Sequence, residues 1–201
     1  ESYFVPCDAS MASFALLATH VLESEVHLDG WPESEQAIGH EILQKFAIEC
    51  GIKWDGAILN IHEQKSPVTL DVTDSNDILP PMAALLSLGP GGRIIGAAHA
   101  AHKESNRLAR TVEMLGFFGI KATLLSDGVE VEGRQEPKKP DQPVPTFGDH
   151  RLFMTAVILA ARTGGEVIGQ TLHQVADEGF LQRLIDAGIG IEVATTPSLI
   201  D

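Results

Sequence analysis

His102-Lys103-Glu104-Ser105-Asn106-Arg107-Leu108 leads directly into the apolar positions Val112 and Leu115 and stops at Gly119. Apolar residues at helical spacing, with a polar turn in front and a glycine behind, predict a helix over 104–117 whose first turn faces something other than the core. Free backbone N–H groups and the positive end of the helix dipole favour an anion at such a turn. Lys103 and Arg107, four apart, would add fixed charge on one side, so a phosphate or carboxylate would suit it. A solvated first turn with an ordinary surface ion pair reads the same string more plainly. The flanking sequence has to decide between them.

Working outward, the helix follows a short β-prone run at 93–95. It precedes two more, at 120–125 and 129–131, joined by Asp127-Gly128, a strong hairpin signal. Further upstream, 68–72 reads as a strand and 79–88 as a helix opened by Pro80-Pro81. The order is βαβαββ. It also occurs earlier in the chain: a strand at Tyr3-Phe4-Val5, Asp8-Ala9-Ser10 as a cap, a helix over 12–22, a strand over 25–28 and a stop at Gly30-Trp31-Pro32. Ile38, Ile42, Leu43, Phe46 and Ala47 then keep helical spacing up to Gly51, and 52–54 pairs with 57–61 around Asp55-Gly56. A shorter third copy starts at Asp149-His150-Arg151. It has a helix to 161, a strand over 166–168, a helix over 180–187 and a strand over 189–193.

The spacing of glycines supports the repeat. Gly51, Gly119 and Gly188, each ending a helix, lie 68 and 69 residues apart, and Gly30, Gly96 and Gly169 lie 66 and 73 apart. The expected fold is therefore α/β (α+β), with three βαβαββ repeats over about 2–63, 66–133 and 146–194 packed as a single unit. No such unit can bury both faces of its elements alone, so the three should share helices. The Pro- and Lys-containing segment 133–145 reads as a surface excursion, and 195–201 as a tail that leaves the third sheet unclosed.

Composition narrows the function. The 201 residues are 44% hydrophobic and 21% charged, ordinary for a globular chain. With no apolar run near the roughly 18 residues that span a bilayer and no signal-peptide pattern, the expectation is a soluble cytoplasmic protein. A formal charge of -14 argues against nucleic acid and against anionic lipid as partners. An anionic small molecule would need a local cluster of cations, drawn from only 14 Lys and Arg. Cys7 and Cys50 have neither metal-ligand spacing nor a disulfide framework.

Polar groups stand at equivalent helix starts: Asp8-Ala9-Ser10, the acids of 74–77, Lys103 to Arg107, and Asp149-His150-Arg151. A three-fold repeat would carry these starts to one face. Each alone reads as a cap or first-turn acid, but together Lys103, Arg107 and Arg151 describe a site for a multiply anionic ligand. Asp77 and Glu104 would supply carboxylates for proton transfer.

The strings Asp8-Ala9-Ser10-x-Ala12-Ser13-Phe14, Asn76-Asp77, Lys103-Glu104-Ser105-Asn106-Arg107-Leu108, Asp127-Gly128-Val129 and Gly148-Asp149-His150-Arg151-Leu152-x-Met154 occur in this order. The set resembles the C-terminal lobe of the 5-enolpyruvylshikimate-3-phosphate synthases (3-phosphoshikimate 1-carboxyvinyltransferases), over nearly the whole chain. The resemblance implies a lobe of three βαβαββ units, an inside-out α/β barrel, with an N-terminal lobe absent from this chain. The family's first residues pass through the C-terminal lobe, which would account for the unclosed third unit. It also implies phosphoenolpyruvate and shikimate 3-phosphate as substrates, no cofactor and no metal. Asp77 would then serve as the acid that holds and deprotonates the 5-hydroxyl, and Glu104 as the group exchanging a proton with the methylene carbon. Lys103 would contact the ring hydroxyls or the reacting centre, and Arg107 and Arg151, with His150 nearby, would clamp phosphoenolpyruvate.

The chain departs from the family pattern at Asn106, where the family has Asp, at Ala101, where it usually has Arg, and at 173–177, which lacks the family's Lys. A chain separated from its other lobe would turn over nothing. The competing readings are a catalytically silent paralogue acting as a binding module and a related transferase acting on a nucleotide sugar.

Overall fold

The structure is a computed structural model, and it describes residues 8–28, 39–62, 66–103, 106–169 and 171–194. At its centre lie three helices, α1 (Ala9–Leu22), α3 (Leu79–Leu88) and α5 (His150–Thr163), each packed on the other two. They are the first helices of the three predicted units. Their sequences explain the position: α3 is apolar on every side and wholly buried, and Leu16, Leu17, Met82, Leu85, Leu86, Leu152 and Met154 expose nothing. A helix without a polar face has to be enclosed. The second helices, α2 (His40–Glu49), α4 (Arg107–Phe117) and α6 (Phe180–Asp186), keep a solvent face, where Ile48, Arg110 and Gln182 sit.

Sheets flank this core. In the first, β1 (Val26–His27), β2 (Ile52–Asp55) and β3 (Ile58–Ile61) are antiparallel in the order β1-β3-β2. The turn between β2 and β3 is at Gly56-Ala57, one residue later than the predicted Asp55-Gly56, because Asp55 still pairs with Ile58; the Trp54 indole donates to the Gly56 carbonyl at 2.9 Å. In the second sheet, β4 (Val68–Asp71) runs parallel to β5 (Gly92–Ile95). The strands β6 (Ala122–Leu124) and β7 (Val129–Val131) add antiparallel in the order β4-β5-β7-β6. The pairings β1·β3 and β2·β3 thus match β5·β7 and β6·β7, as a repeat requires. At Gly92 the strands approach so closely that a β-carbon would overlap the Val68 carbonyl, and its φ of 131° suits glycine alone. The first unit's counterpart of β4, predicted at Tyr3-Phe4-Val5, lies outside the described residues.

The third unit departs from expectation. In place of a strand over 166–168 there is one parallel bridge, Val144 to Val167, and 189–193 forms no strand among the described residues. Strand geometry persists only where a neighbour takes the backbone groups, and none of the described residues continues that ladder. Val144 is fully buried and pairs as β4 does, so 133–145 is not a free excursion. Its first part is strapped down: the Gln135 amide accepts from Lys121 N at 2.8 Å and donates to the Lys121 and Glu132 carbonyls, while Lys138 N donates to the Phe118 carbonyl at 2.8 Å.

No helix of the described residues is long and apolar enough to cross a membrane. Among the described residues, no group of three or more His, Cys, Asp or Glu is placed to hold a metal ion. Cys50 is a buried free thiol, its pKa pushed up to about 12 by burial and by the Glu49 charge.

Because α3 is enclosed by the other units, Leu86→Ala should lower unfolding free energy by about 2–5 kcal/mol in urea denaturation. Ile48→Ala, at a side chain 69% exposed, should change it by less than about 0.5 kcal/mol.

Candidate functional site

Each central helix begins on the same face. Asp8 caps α1 by accepting from Ser10 N at 2.8 Å, and Asp149 caps α5 by accepting from Arg151 N at 2.9 Å. Asp77 lies in a 3-10 turn, Asn76–Ile78, that feeds α3. The helix predicted over 104–117 starts later, at Arg107, because the Asn106 side chain caps it from Ala109 N at 3.2 Å, and a 3-10 segment, Ala98–His102, precedes it. Lys103 is therefore not four residues along the same helix from Arg107. The two meet through an acid instead.

That acid is Asp77. Its Oδ1 lies 2.6 Å from Arg107 Nη1 and 3.3 Å from Lys103 Nζ, and its Oδ2 lies 3.5 Å from Arg151 Nη2. Arg107 has no exposed surface; its Nε donates to Asp149 Oδ2 at 2.8 Å and its Nη2 to Asp149 Oδ1 at 3.3 Å, and Asp149 is equally buried. The nearly buried Arg151 donates from Nη1 to Ser10 Oγ at 3.0 Å, while its Nε finds no acceptor. His150 opens α5, half-buried beside Arg151. Thus the structure brings Asp77, Lys103, Arg107 and Arg151 into one ion-pair network, with His150 adjacent. Glu104 lies outside the described residues.

Burial raises the pKa of Asp77, but the charges of Arg151, Arg107 and Lys103 outweigh it and hold the carboxyl below the usual range. For Arg151, burial lowers the pKa and the Arg107 charge adds to that, with Asp77, Asp8 and Asp149 pulling it back. Two residues here escaped the sequence reading as network members. Asp149 looked like a cap and proves to be the counter-charge of Arg107 as well; Ser10 looked like part of a cap and anchors Arg151. The only sequence hint was that both stand at helix starts equivalent to that of Asp77.

Beside the network is a cleft of about 340 Å³ lined by Asp8, Ser10, Asp74, Asn76, Asp77 and Lys103. Ser75 Oγ and Asn76 Oδ1, on its wall, have no hydrogen-bond partner. The cleft offers oxygen acceptors and one ammonium, a lining suited to hydroxyl groups; the guanidinium side suits an anion. In the segment lacking the family's Lys, His173 alone packs inward, while Gln174, Val175 and Ala176 are exposed. His173 is buried, stacks on Phe153 at 5.7 Å between centroids and lies 6.2 Å from Phe180, and burial lowers its pKa against the pull of Asp177.

Residues 1–182 match the family model for EPSP synthase (3-phosphoshikimate 1-carboxyvinyltransferase). The chain belongs to the EPSP synthase family. Its curated relatives include the 3-phosphoshikimate 1-carboxyvinyltransferases of Halorubrum lacusprofundi, 30% identical over 95% of this chain and 44% of that protein, and of Archaeoglobus fulgidus, 31% identical over 94% and 46%. The chain spans about half the length of these relatives. Among solved structures, EPSP synthase from Acinetobacter baumannii superposes with a TM-score of 0.70 at 23% identity, covering 95% of this chain and 48% of that one. The enolpyruvyl transferase NikO from Streptomyces tendae superposes at 0.69 with 13% identity, covering 96% and 45%. At such identities the structures establish the fold, an enolpyruvyl-transferase lobe of the α/β class.

The low pKa of Asp77 has a definite pH signature. A carboxylate favoured in the folded state adds stability above its unfolded value of about 3.9 and loses it as pH falls through the folded value. Asp77→Asn should therefore flatten the dependence of melting temperature on pH below about 4, as read by calorimetry at stepped pH.

Proposed function

We propose that this chain is the C-terminal lobe of a 3-phosphoshikimate 1-carboxyvinyltransferase working in the cytoplasm, with repeat units near 2–63, 66–133 and 146–194. The observation that carries the reading is the convergence on the single carboxylate of Asp77 of Arg107 and Arg151, from the first turns of α4 and α5, and of Lys103, from the end of the 3-10 segment before α4. Phosphoenolpyruvate and shikimate 3-phosphate are the substrates. The 5-hydroxyl oxygen bonds to the central carbon of phosphoenolpyruvate, its proton passes to Asp77, and the methylene carbon takes a proton from Glu104. Return of a methyl proton to Glu104 and rupture of the carbon–oxygen bond to phosphate restore the double bond, and the departing phosphate takes up the proton held by Asp77, which regenerates the carboxylate.

A carboxylate held by three cations is a weak base. Substrate anions that take over Lys103 and Arg151 return Asp77 towards its ordinary basicity, so proton abstraction follows loading of the site. Arg107 and Arg151, with His150 beside them, hold phosphoenolpyruvate, and the cleft bounded by Asn76, Asp77 and Lys103 takes the ring hydroxyls. The N-terminal lobe brings the remaining contacts. A groove of about 470 Å³ between α5 and residues 189–194, lined in part by Val157, Val167, Leu181 and Ile191, is where a closing strand delivered with that lobe would complete the third unit.

A silent binding module is the second reading, favoured by the aromatic packing of His173 where the family's Lys-bearing stretch belongs. Calorimetric titration separates the two. The chain is combined with an N-terminal lobe, from its own gene or from the Archaeoglobus fulgidus relative, and phosphate release is followed. Release that requires both substrates supports the transferase; folding without binding of either supports the module. In the active assembly, Glu104→Gln and Arg151→Ala should each abolish turnover while leaving the thermal transition in place, and near-normal rates in either would remove that residue from the mechanism.

A further inference from the structure

Asp149 does two things with one carboxylate. Its Oδ1 caps α5 through Arg151 N at 2.9 Å, and both oxygens receive Arg107, at 2.8 Å from Nε and 3.3 Å from Nη2. Neither side chain has any exposed surface. A guanidinium buried this completely needs a counter-charge, and a planar fork held by two edges has no freedom to rotate. Arg107 is thereby fixed with Nη1 directed at Asp77, 2.6 Å away. The same carboxylate sets the first turn of α5, from which Arg151 reaches Ser10 and Asp77.

We propose that Asp149 is a positioning residue of the site: it registers Arg107 and Arg151 against each other and, through Arg107, orients Asp77. The claim rests on the reading of this face as the phosphoenolpyruvate site. A cap alone would need only one oxygen acceptor, which asparagine also supplies. The Asp149→Asn variant therefore keeps the cap and removes the charge that holds Arg107, so a purely structural role and a positioning role give different results.

The test uses the chain combined with an N-terminal lobe as above, with the guanidinium Nε–H signals of Arg107 and Arg151 assigned by NMR and phosphoenolpyruvate as the titrant. In the unaltered protein the Arg107 Nε–H should exchange slowly with water. In Asp149→Asn it should exchange fast, the Arg151 signal should shift, and phosphoenolpyruvate should bind at least ten-fold more weakly, with the fold retained. Equal binding by both proteins, or an unchanged Arg107 signal, overturns the positioning role and leaves the functional reading standing. Absence of phosphoenolpyruvate binding even in the unaltered protein, with its slow Arg107 signal present, overturns the functional reading and the positioning role with it. If Asp149→Asn does not fold, Asp149→Glu, which keeps the charge but displaces it by one methylene, is scored in the same way.

Discussion

The mutual burial of α1, α3 and α5 is the constraint from which the rest follows. Each has more apolar surface than its own sheet can cover, and α3 has no polar side at all. Three such helices are satisfied only by one another, which forces three units into one core and leaves the sheets and second helices outside. Their caps then have nowhere else to go. Asp8, the turn carrying Asp77, and Asp149 all come to the face where the helices begin, and α4, packed beside α3 and α5, brings Arg107 to it. The polar network is thus a consequence of how the apolar core closes.

The electrostatics of that face differ from what a list of its cations suggests. Lys103, Arg107 and Arg151 make it look like a basic patch in a chain of net charge -14. In place, Asp77 and Asp149 take up much of that charge: Arg107 spends two nitrogens on Asp149 and a third on Asp77. Burial sets this division. A fully enclosed guanidinium demands a partner of equal burial, and Asp149 is that partner, whereas the half-exposed Asp77 serves three cations because water shares the work.

Much of this was legible in the chain. Helical spacing located α3 within a residue of its observed bounds, and Asp55-Gly56 and Asp127-Gly128 marked both hairpins. The glycine spacing carried the repeat. Other features depend on long-range partners and leave no local trace. The third unit's edge fails as a strand although Val167 and Ile168 have adequate propensity, because a strand is defined by its neighbour. Val144 was hidden in a Pro- and Lys-rich segment that is largely exposed, as its composition says; the one buried valine and its bridge depend on a partner more than twenty residues away. The late start of α4 turned on whether Asn106 or the residues before it would cap the helix. In the site, the convergence of Asp77 with three cations was predictable from the repeat. The second role of Asp149 was not, since a helix cap and a buried counter-ion look identical in sequence.

Alone, this face has little means of attracting an anion. Its anion-facing cations are already partnered, and the stretch where the family carries another Lys is occupied by His173 packed between Phe153 and Phe180. An incoming anion must therefore compete with Asp77 for Lys103 and Arg151, and the gain from each new contact is reduced by the contact given up. Arg107 can offer an anion only the Nη1 now given to Asp77, because withdrawing Nε and Nη2 would strand Asp149 in the interior. The network is built to hold geometry more than to generate attraction. For a ligand with several negative charges, the described residues of this face therefore offer little net attraction by themselves.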